Sequence, residues 1–225
     1  MGIEQRDPDD CECLRTPERV CLADERTPFF GLSVEDRYAS VKRFELNHSV
    51  PMSVRVHFET AKNLYLYAWF VLRFVAVAEQ QALASLELAL RERISAAVAS
   101  KAKGADRWSL AKLLRHARDN GLITSEAFSE STRERWTLER ARHRFRLEQA
   151  KQLSEARGSL NVDDSGVQPT AEDRTVDWID SYVSVLPIIR NDYAHGSPTL
   201  PAGVLRTFGV VCDLINQLFP LVEID

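Results

Sequence analysis

The fold is decided by a run of forty residues without glycine or proline, residues 58–97: FETAKNLYLYAWFVLRFVAVAEQQALASLELALRERISAA. Its apolar side chains recur at intervals of three and four residues, first from Phe58 to Ala76 and again from Leu83 to Ala97. This period places them on one face of an α-helix that packs against a core. The run therefore predicts either one very long helix or two helices joined at residues 79–81.

The composition of the whole chain favours an all-α fold. Alanine, leucine and arginine, which lose little conformational freedom in a helix, make up almost a third of the 225 residues. Glycine and proline, which end helices, number only 9 each. A hydrophobic content of 44% and a net charge of −4 argue against a disordered chain and against a protein coated in basic charge for nucleic acid.

Patterns outside the apolar run predict further helices and two parts of the chain. One helix is expected after Ser33, with Asp36 three residues later as its capping partner. Other predicted helices cover about 109–121, Ser125 to about 158, 172–195 and 201–219. We assign residues 1–50 to an N-terminal arm with the short helix, and residues 51–225 to a helical domain with a flexible linker at 158–171.

The helix predicted from Ser125 is strongly basic. Six arginines and two glutamates lie between residues 133 and 146, whereas six acidic residues and one arginine lie between 163 and 180. Arginines on one helix can follow an RNA backbone, and the weak candidates for RNA binding are Arg133, Arg140 and Arg144. A solvated helix that pairs its arginines with glutamates explains the same pattern. If the helix binds RNA, the acidic segment is expected to compete with it.

Neither the start of the chain nor its cysteines indicate secretion, a membrane or a metal. The first ten residues lack the basic and then apolar order of a signal peptide, and the most apolar stretch, residues 64–78, is short for a spanning helix and contains Arg73. Cys11, Cys13 and Cys21 have no fourth ligand nearby. We therefore expect a cytoplasmic protein with no membrane contact, no metal site and no cofactor.

One cluster of side chains is suited to catalysis on a phosphate. Arg190, Asn191 and His195 lie at the end of the predicted helix 172–195, with Asn191 and His195 four residues apart on one face. The carbonyls of a last helical turn favour the protonated form of a histidine, which suits His195 to proton transfer. Arg190 offers a fork of donors that fits a phosphate. A helix C-cap with a surface cation accounts for the same residues without any chemistry.

The string Arg190-Asn191-x-x-x-His195 resembles the signature of the HEPN superfamily. That signature is an arginine, often followed by asparagine, and then a histidine four to six residues later, and Gly196 after the histidine agrees with many members. The segment Glu87-Leu-Ala-Leu-Arg91 is similar to one that several of these families carry on an early core helix. The resemblance covers roughly residues 55–220, and residues 1–50 have no part in it.

The resemblance implies an up-and-down helical bundle with long core helices that forms a homodimer with a composite site. It implies a metal-independent endoribonuclease, as in toxin–antitoxin, abortive-infection and CRISPR-associated systems, acting on tRNA or mRNA with Arg190, Asn191 and His195. An antitoxin or regulatory protein is an expected partner. Toxins paired with nucleotidyltransferase antitoxins carry a tyrosine two residues after the histidine, where this chain has Ser197, which puts that form of control in doubt.

Three further residues are weaker candidates around this motif. Tyr193 lies between Asn191 and His195 and is able to stack on an RNA base or to pack in an interface. Glu79 and Glu87 are candidates to orient Arg190 from a neighbouring helix, although exposed helical glutamates are more common. The alternative to a nuclease is a non-catalytic HEPN module for dimerisation or partner docking, and a third interpretation is a regulator that binds nucleic acid through its arginine-rich helix.

Overall fold

The computed structural model describes residues 14–27, 33–98, 107–154, 163–175, 177–194, 200 and 203–221. Within these ranges the chain forms eight α-helices and no strand, which confirms the all-α prediction. The helices are α1 Val34–Lys42, α2 Met52–Tyr67, α3 Phe74–Val98, α4 Leu110–Asp119, α5 Glu130–Ser154, α6 Ala171–Arg174, α7 Trp178–Ala194 and α8 Val204–Leu218.

Helix α3 forms the centre of the core. It packs against α2, α4, α7 and α8, and its apolar face is fully buried at Leu83, Leu86, Leu90 and Ile94. These residues belong to the stripe that recurs every three or four positions in the sequence. The helix that carries Arg190, α7, packs against both α3 and α4. The position of the predicted motif therefore depends directly on the central helix.

The predicted junction at residues 79–81 is wrong, and so is the single long helix. The break between α2 and α3 falls at residues 68–73, where successive short turns replace the helix, and Glu79 lies within α3. No glycine or proline marks this break. The backbone groups that it exposes are bonded by a distant segment: the Trp69 carbonyl accepts from the Asp24 N–H at 2.9 Å and from the Thr27 hydroxyl at 3.1 Å. Tertiary contacts thus override a strong helical pattern.

Asp24 holds residues 14–27 against this break. Its carboxylate is 1% exposed and accepts hydrogen bonds from the Leu72 N–H at 3.0 Å and from the Arg26 guanidinium at 2.9 Å. Burial alone would raise the pKa of Asp24, but the bonds from Arg26 and Leu72 outweigh it and lower the pKa to about 2. Part of the predicted N-terminal arm is therefore attached to the helical domain through a buried carboxylate.

Acid is expected to detach this segment. Because folding lowers the pKa of Asp24 from an ordinary 3.8 to about 2, its stabilising effect is complete above about pH 4 and is lost as the pH falls from 4 to 2. The loss is about 2 kcal/mol. Unfolding free energies of wild type and Asp24→Asn, measured in urea between pH 6 and pH 2.5, should converge as the pH falls. Curves that stay parallel over this range would contradict this role of Asp24.

The short helix predicted after Ser33 is confirmed as α1. The Ser33 hydroxyl accepts from the Asp36 N–H at 3.0 Å, and the Asp36 carboxylate accepts from the Ser33 N–H at 2.9 Å, which completes a capping box. Helix α1 packs against α2 and α8.

Phe208 of α8 is fully buried among aromatic rings. The centroid of its ring lies 6.1 Å from that of Phe44 and 5.7 Å from that of Phe58.

Ser125 does not begin the basic helix as predicted, because α5 begins at Glu130 after Ser129. Instead, the Ser125 hydroxyl accepts from the N–H groups of Trp178 and Ile179, at 3.1 and 3.2 Å, at the start of α7. The predicted helix 172–195 is likewise two helices, α6 and α7. The Asp177 carboxylate between them accepts from the Ile179 N–H at 3.0 Å. Two side-chain acceptors, one of them distant in sequence, therefore restart the helix.

Candidate functional site

The last turns of α7 carry two of the three residues of the predicted motif, Arg190 and Asn191, together with Asp192 and the candidate Tyr193. Asn191 and Asp192 are exposed, the Arg190 side chain is 43% exposed, and Tyr193 is half-buried. His195 lies outside the described residues. Because successive residues of a helix are about 100° apart, Arg190 and Asn191 point in different directions from the same turn. Arg190 is directed towards α3, and Asn191 towards the surface of the molecule.

Glu87 of α3 contacts Arg190. Its carboxylate is 16% exposed, with Oε2 at 3.5 Å from Arg190 Nε and Oε1 accepting from Arg91 Nη2 at 2.6 Å. Arg91 also donates to the carbonyl of Trp108 at 2.8 Å. One carboxylate therefore lies between two guanidinium groups, one anchored to the backbone and one at the surface. The contact through Nε is compatible with a phosphate bound on the solvent-facing edge of Arg190.

Glu79, the other predicted supporting residue, bonds to Tyr193 and not to Arg190. It is 3% exposed within α3, and its carboxylate accepts from the hydroxyls of Tyr193 on α7 and Thr207 on α8. Burial, the bond to Glu79 and the charges of Glu79 and Asp192 raise the pKa of Tyr193 well above its usual range, so its hydroxyl remains a donor. This three-way contact joins α3, α7 and α8 directly below the motif.

The predicted RNA-binding arginines of α5 are in different environments. Arg144 donates to the Asp173 carboxylate at 2.7 Å, and Arg140 lies 3.7 Å from it, whereas Arg133 is exposed. Asp173 is 1% exposed and also accepts from the Thr170 N–H at 2.8 Å in the capping box of α6. Its bonds to Arg144 and Thr170 lower the pKa of Asp173 despite the cost of burial. The acidic segment that follows α5 thus contacts the basic face of that helix.

The described residues contain no group of three histidine, cysteine or acidic side chains placed to hold a metal ion. None of the helices in these ranges is long and apolar enough to span a membrane. Of the three N-terminal cysteines for which we expect no metal site, Cys11 and Cys13 lie outside the described residues. Cys21 has a free, exposed thiol.

Sequence reasoning found most of the polar residues around the motif but missed Thr207. Glu79 and Glu87 are two helical turns apart on α3, and Arg190 and Tyr193 are one turn apart on α7, so the members of each pair lie on the same face of their helix. That spacing is a signal the sequence offers. Thr207 carries no such signal, because nothing in the pattern around it distinguishes a buried hydroxyl that faces α3 from any other helical threonine.

Comparison of the chain with family models, with curated proteins and with solved structures found no match.

Proposed function

We propose that this protein is a metal-independent endoribonuclease of the HEPN type, a cytoplasmic toxin or phage-defence effector. The observation that carries the proposal is the pair Arg190 and Asn191 at the end of α7, where the half-buried carboxylate of Glu87 contacts the arginine and the asparagine is exposed. The HEPN-type arrangement of the bundle is part of the same proposal. The all-helical fold and the polar residues that α3 directs towards α7 support it.

In the proposed reaction the 2′-hydroxyl of RNA attacks the adjacent phosphate. The bond from O2′ to phosphorus forms, the bond from phosphorus to the leaving 5′-oxygen breaks, and the 2′-proton is transferred to solvent or His195. A proton supplied to the 5′-oxygen completes the products, a 2′,3′-cyclic phosphate and a 5′-hydroxyl. Arg190 stabilises the charge on the phosphate, Asn191 positions it, and His195 transfers protons.

The test is RNA cleavage in the presence of EDTA. Wild-type protein is expected to cut total RNA or tRNA and to leave 5′-hydroxyl ends, which a polynucleotide kinase labels without prior phosphatase treatment. His195→Ala is expected to lose this activity while keeping the helical circular dichroism of wild type. Cleavage that requires a divalent metal, or equal activity of both proteins, would contradict the mechanism. Inert wild-type protein would favour the non-catalytic dimerisation or docking module.

We further propose that the site is composite and that α7 contributes to a homodimer interface. Ile188 and Val185 are 59% and 47% exposed on α7, close to Asn191. An isolated apolar residue on a surface needs no explanation, but two such residues beside a polar motif suit a self-complementary interface. In a dimer of this kind, each copy of the motif is brought close to the motif of the second copy.

Ile188→Glu is expected to convert a dimer into a monomer and to abolish RNA cleavage, because it places a charge in the proposed interface. Sedimentation and cleavage assays measure the two effects, and circular dichroism should remain unchanged. Val56→Glu is the matched control, since Val56 is 55% exposed on the distant helix α2. A monomeric Ile188→Glu variant with full activity would show that the site does not depend on the dimer.

A further inference from the structure

A cleft of about 510 Å³ lies beside the motif and contains neither Arg190 nor Asn191. Helix α7 forms one wall with Tyr182, Leu186 and Ile189, and residues of α5, α8 and α3 complete it. Asp192 and Tyr193, the two residues that follow Asn191, also line it. Its volume is within the range of small-molecule sites in proteins.

Tyr182, which lines this cleft, has a buried hydroxyl with no hydrogen-bond partner among the described residues. Tyr182 is 3% exposed, and none of the described residues lies within hydrogen-bonding distance of its hydroxyl. Burial, together with the charges of Asp213 and Glu139, raises its pKa far above the usual range, although Arg206 and Arg135 act in the opposite direction. The hydroxyl therefore stays protonated, and a small shift of the side chains that cover it would let it donate to an acceptor on a ligand. Buried polar groups without partners are rare in folded proteins.

The walls of the cleft suit a flat ring. Trp136 of α5 meets Tyr182 edge to face, with ring centroids 4.6 Å apart, and Leu186, Ile189 and Val210 supply apolar surface beside them. Flat aromatic rings of a ligand pack well against aromatic and branched side chains of this kind.

The charges of the cleft disfavour an anionic ligand. Two carboxylates, Glu79 and Asp192, line it, and the guanidinium of Arg206 is paired with Glu139 at 2.7 Å. A free phosphate group would meet more negative than positive charge here. The arrangement favours an uncharged ring that accepts a hydrogen bond from Tyr182, and the exposed carboxylate of Asp192, which also lines the cleft, is an acceptor for ring N–H groups.

We propose that this cleft binds an uncharged nucleobase, with the acceptor of its ring bonded to the Tyr182 hydroxyl. The inference rests on the proposed ribonuclease function only for the source of the base: in RNA, it is the base of a nucleotide next to the phosphate held by Arg190 and Asn191. A free nucleoside presents the same ring. The cleft then gives the protein a preference among bases, which a phosphate site alone cannot provide because all nucleotides share the same phosphate.

The first test is binding of adenosine, inosine, uridine and cytidine to His195→Ala protein, measured by calorimetry and by tryptophan fluorescence. At least one nucleoside is expected to bind saturably. Val185→Trp fills the cleft from its exposed edge and should weaken that binding by about tenfold or more, which corresponds to 1.4 kcal/mol. Because Val185 also lies in the proposed dimer interface, sedimentation must show that this variant keeps the oligomeric state of wild type. Val77→Trp is the matched control, since Val77 is 43% exposed, Val185 is 47% exposed, and Val77 does not line the cleft. Absence of nucleoside binding, or equal weakening by both variants, would overturn the proposal.

A second variant tests the role of the hydroxyl. Tyr182→Phe keeps the ring, and nucleoside affinity is expected to fall by about three- to tenfold, as for the loss of one neutral hydrogen bond. The unliganded variant is expected to melt about 2–4 °C higher than wild type, because a buried hydroxyl without a partner is removed. A lower Tm would show that the hydroxyl has a partner within the protein, and an unchanged affinity would show that it does not touch the ligand.

The outcomes separate this inference from the ribonuclease proposal. RNA cleavage by wild type without nucleoside binding would contradict only the proposed nucleobase site. Nucleoside binding by a protein that is inert towards RNA would contradict only the proposed nuclease. Competition identifies the source of the base. Displacement of the nucleoside by a short RNA shows that the cleft receives a base of the strand, and its failure assigns the site to free nucleosides.

Discussion

Replacement of Arg190 by alanine is expected to reduce RNA cleavage by about 100- to 1,000-fold, as for the loss of one preorganised donor to a developing charge. The guanidinium is always charged and presents a planar fork to the phosphate, so neither water nor a neighbouring side chain can replace it. Because the Arg190 side chain is 43% exposed, its removal leaves little unfilled space, and the Tm should change by only a few degrees. Initial rates on a labelled RNA in EDTA measure the effect.

Two control variants show how Arg190 acts. Arg190→Lys keeps the charge but not the fork, and we expect it to recover only part of the activity. Glu87→Gln removes the charge opposite Arg190 Nε while keeping the size of the side chain. For a positioning residue, the loss should appear in kcat more than in KM, with an intermediate magnitude of about tenfold. Arg190→Ala protein with wild-type rates would exclude the proposed site.

Phe208→Ala is expected to reduce the free energy of unfolding by about 3–5 kcal/mol, the usual range for deletion of a buried phenyl ring. Phe208 is fully buried beside α2 and the residues that follow α1, with its ring centroid 6.1 Å from that of Phe44, 5.7 Å from Phe58 and 6.2 Å from Tyr65. Its loss removes three aromatic contacts and leaves a cavity that surrounding helices fill only in part. Urea unfolding followed by circular dichroism should show a lower midpoint with an unchanged m-value.

The Phe208 prediction has two controls. Phe208→Leu keeps most of the volume and should cost less than about 1.5 kcal/mol. Tyr67→Ala deletes a ring that is 54% exposed, so it should change the unfolding free energy by no more than about 0.5 kcal/mol. Similar losses for Phe208→Ala and Tyr67→Ala would contradict a core centred on Phe208. Phe208 also follows Thr207, which donates to Glu79, so loosening of α8 is expected to affect the site as well.

The helices were predictable from the sequence wherever local signals determine them. The capping box at Ser33 and Asp36 and the apolar stripe of α3 are both local, and the structure contains both. The break at residues 68–73 was not predictable, because Asp24 and Thr27 bond its backbone from more than forty residues away. The start of α7 was missed for the same reason. Where a helix ends without glycine or proline, its boundary depends on contacts that a local pattern does not contain.

The candidate site was predictable in its residues more than in its contacts. Spacing on α7 indicated that Arg190 and Asn191 share a turn, and both candidate glutamates of α3 contact side chains of α7. The sequence did not distinguish their partners, however, since Glu87 contacts Arg190 while Glu79 contacts Tyr193 and Thr207. The cleft beside Tyr182 was not predicted at all, because it is formed by residues of four helices that no single stretch brings together.

The hydrogen bonds that Ser125 accepts from the first N–H groups of α7 have a consequence for variation in chain length. Together with the Asp177 carboxylate they fix the start of the Arg190 helix, so one of its two capping side chains comes from the α4–α5 connection. Insertions between residues 165 and 169 should therefore be tolerated without moving Arg190, since the entropy of closing a loop grows only slowly with its length. Homologous chains are free to differ most in this connection while they keep a hydroxyl at position 125.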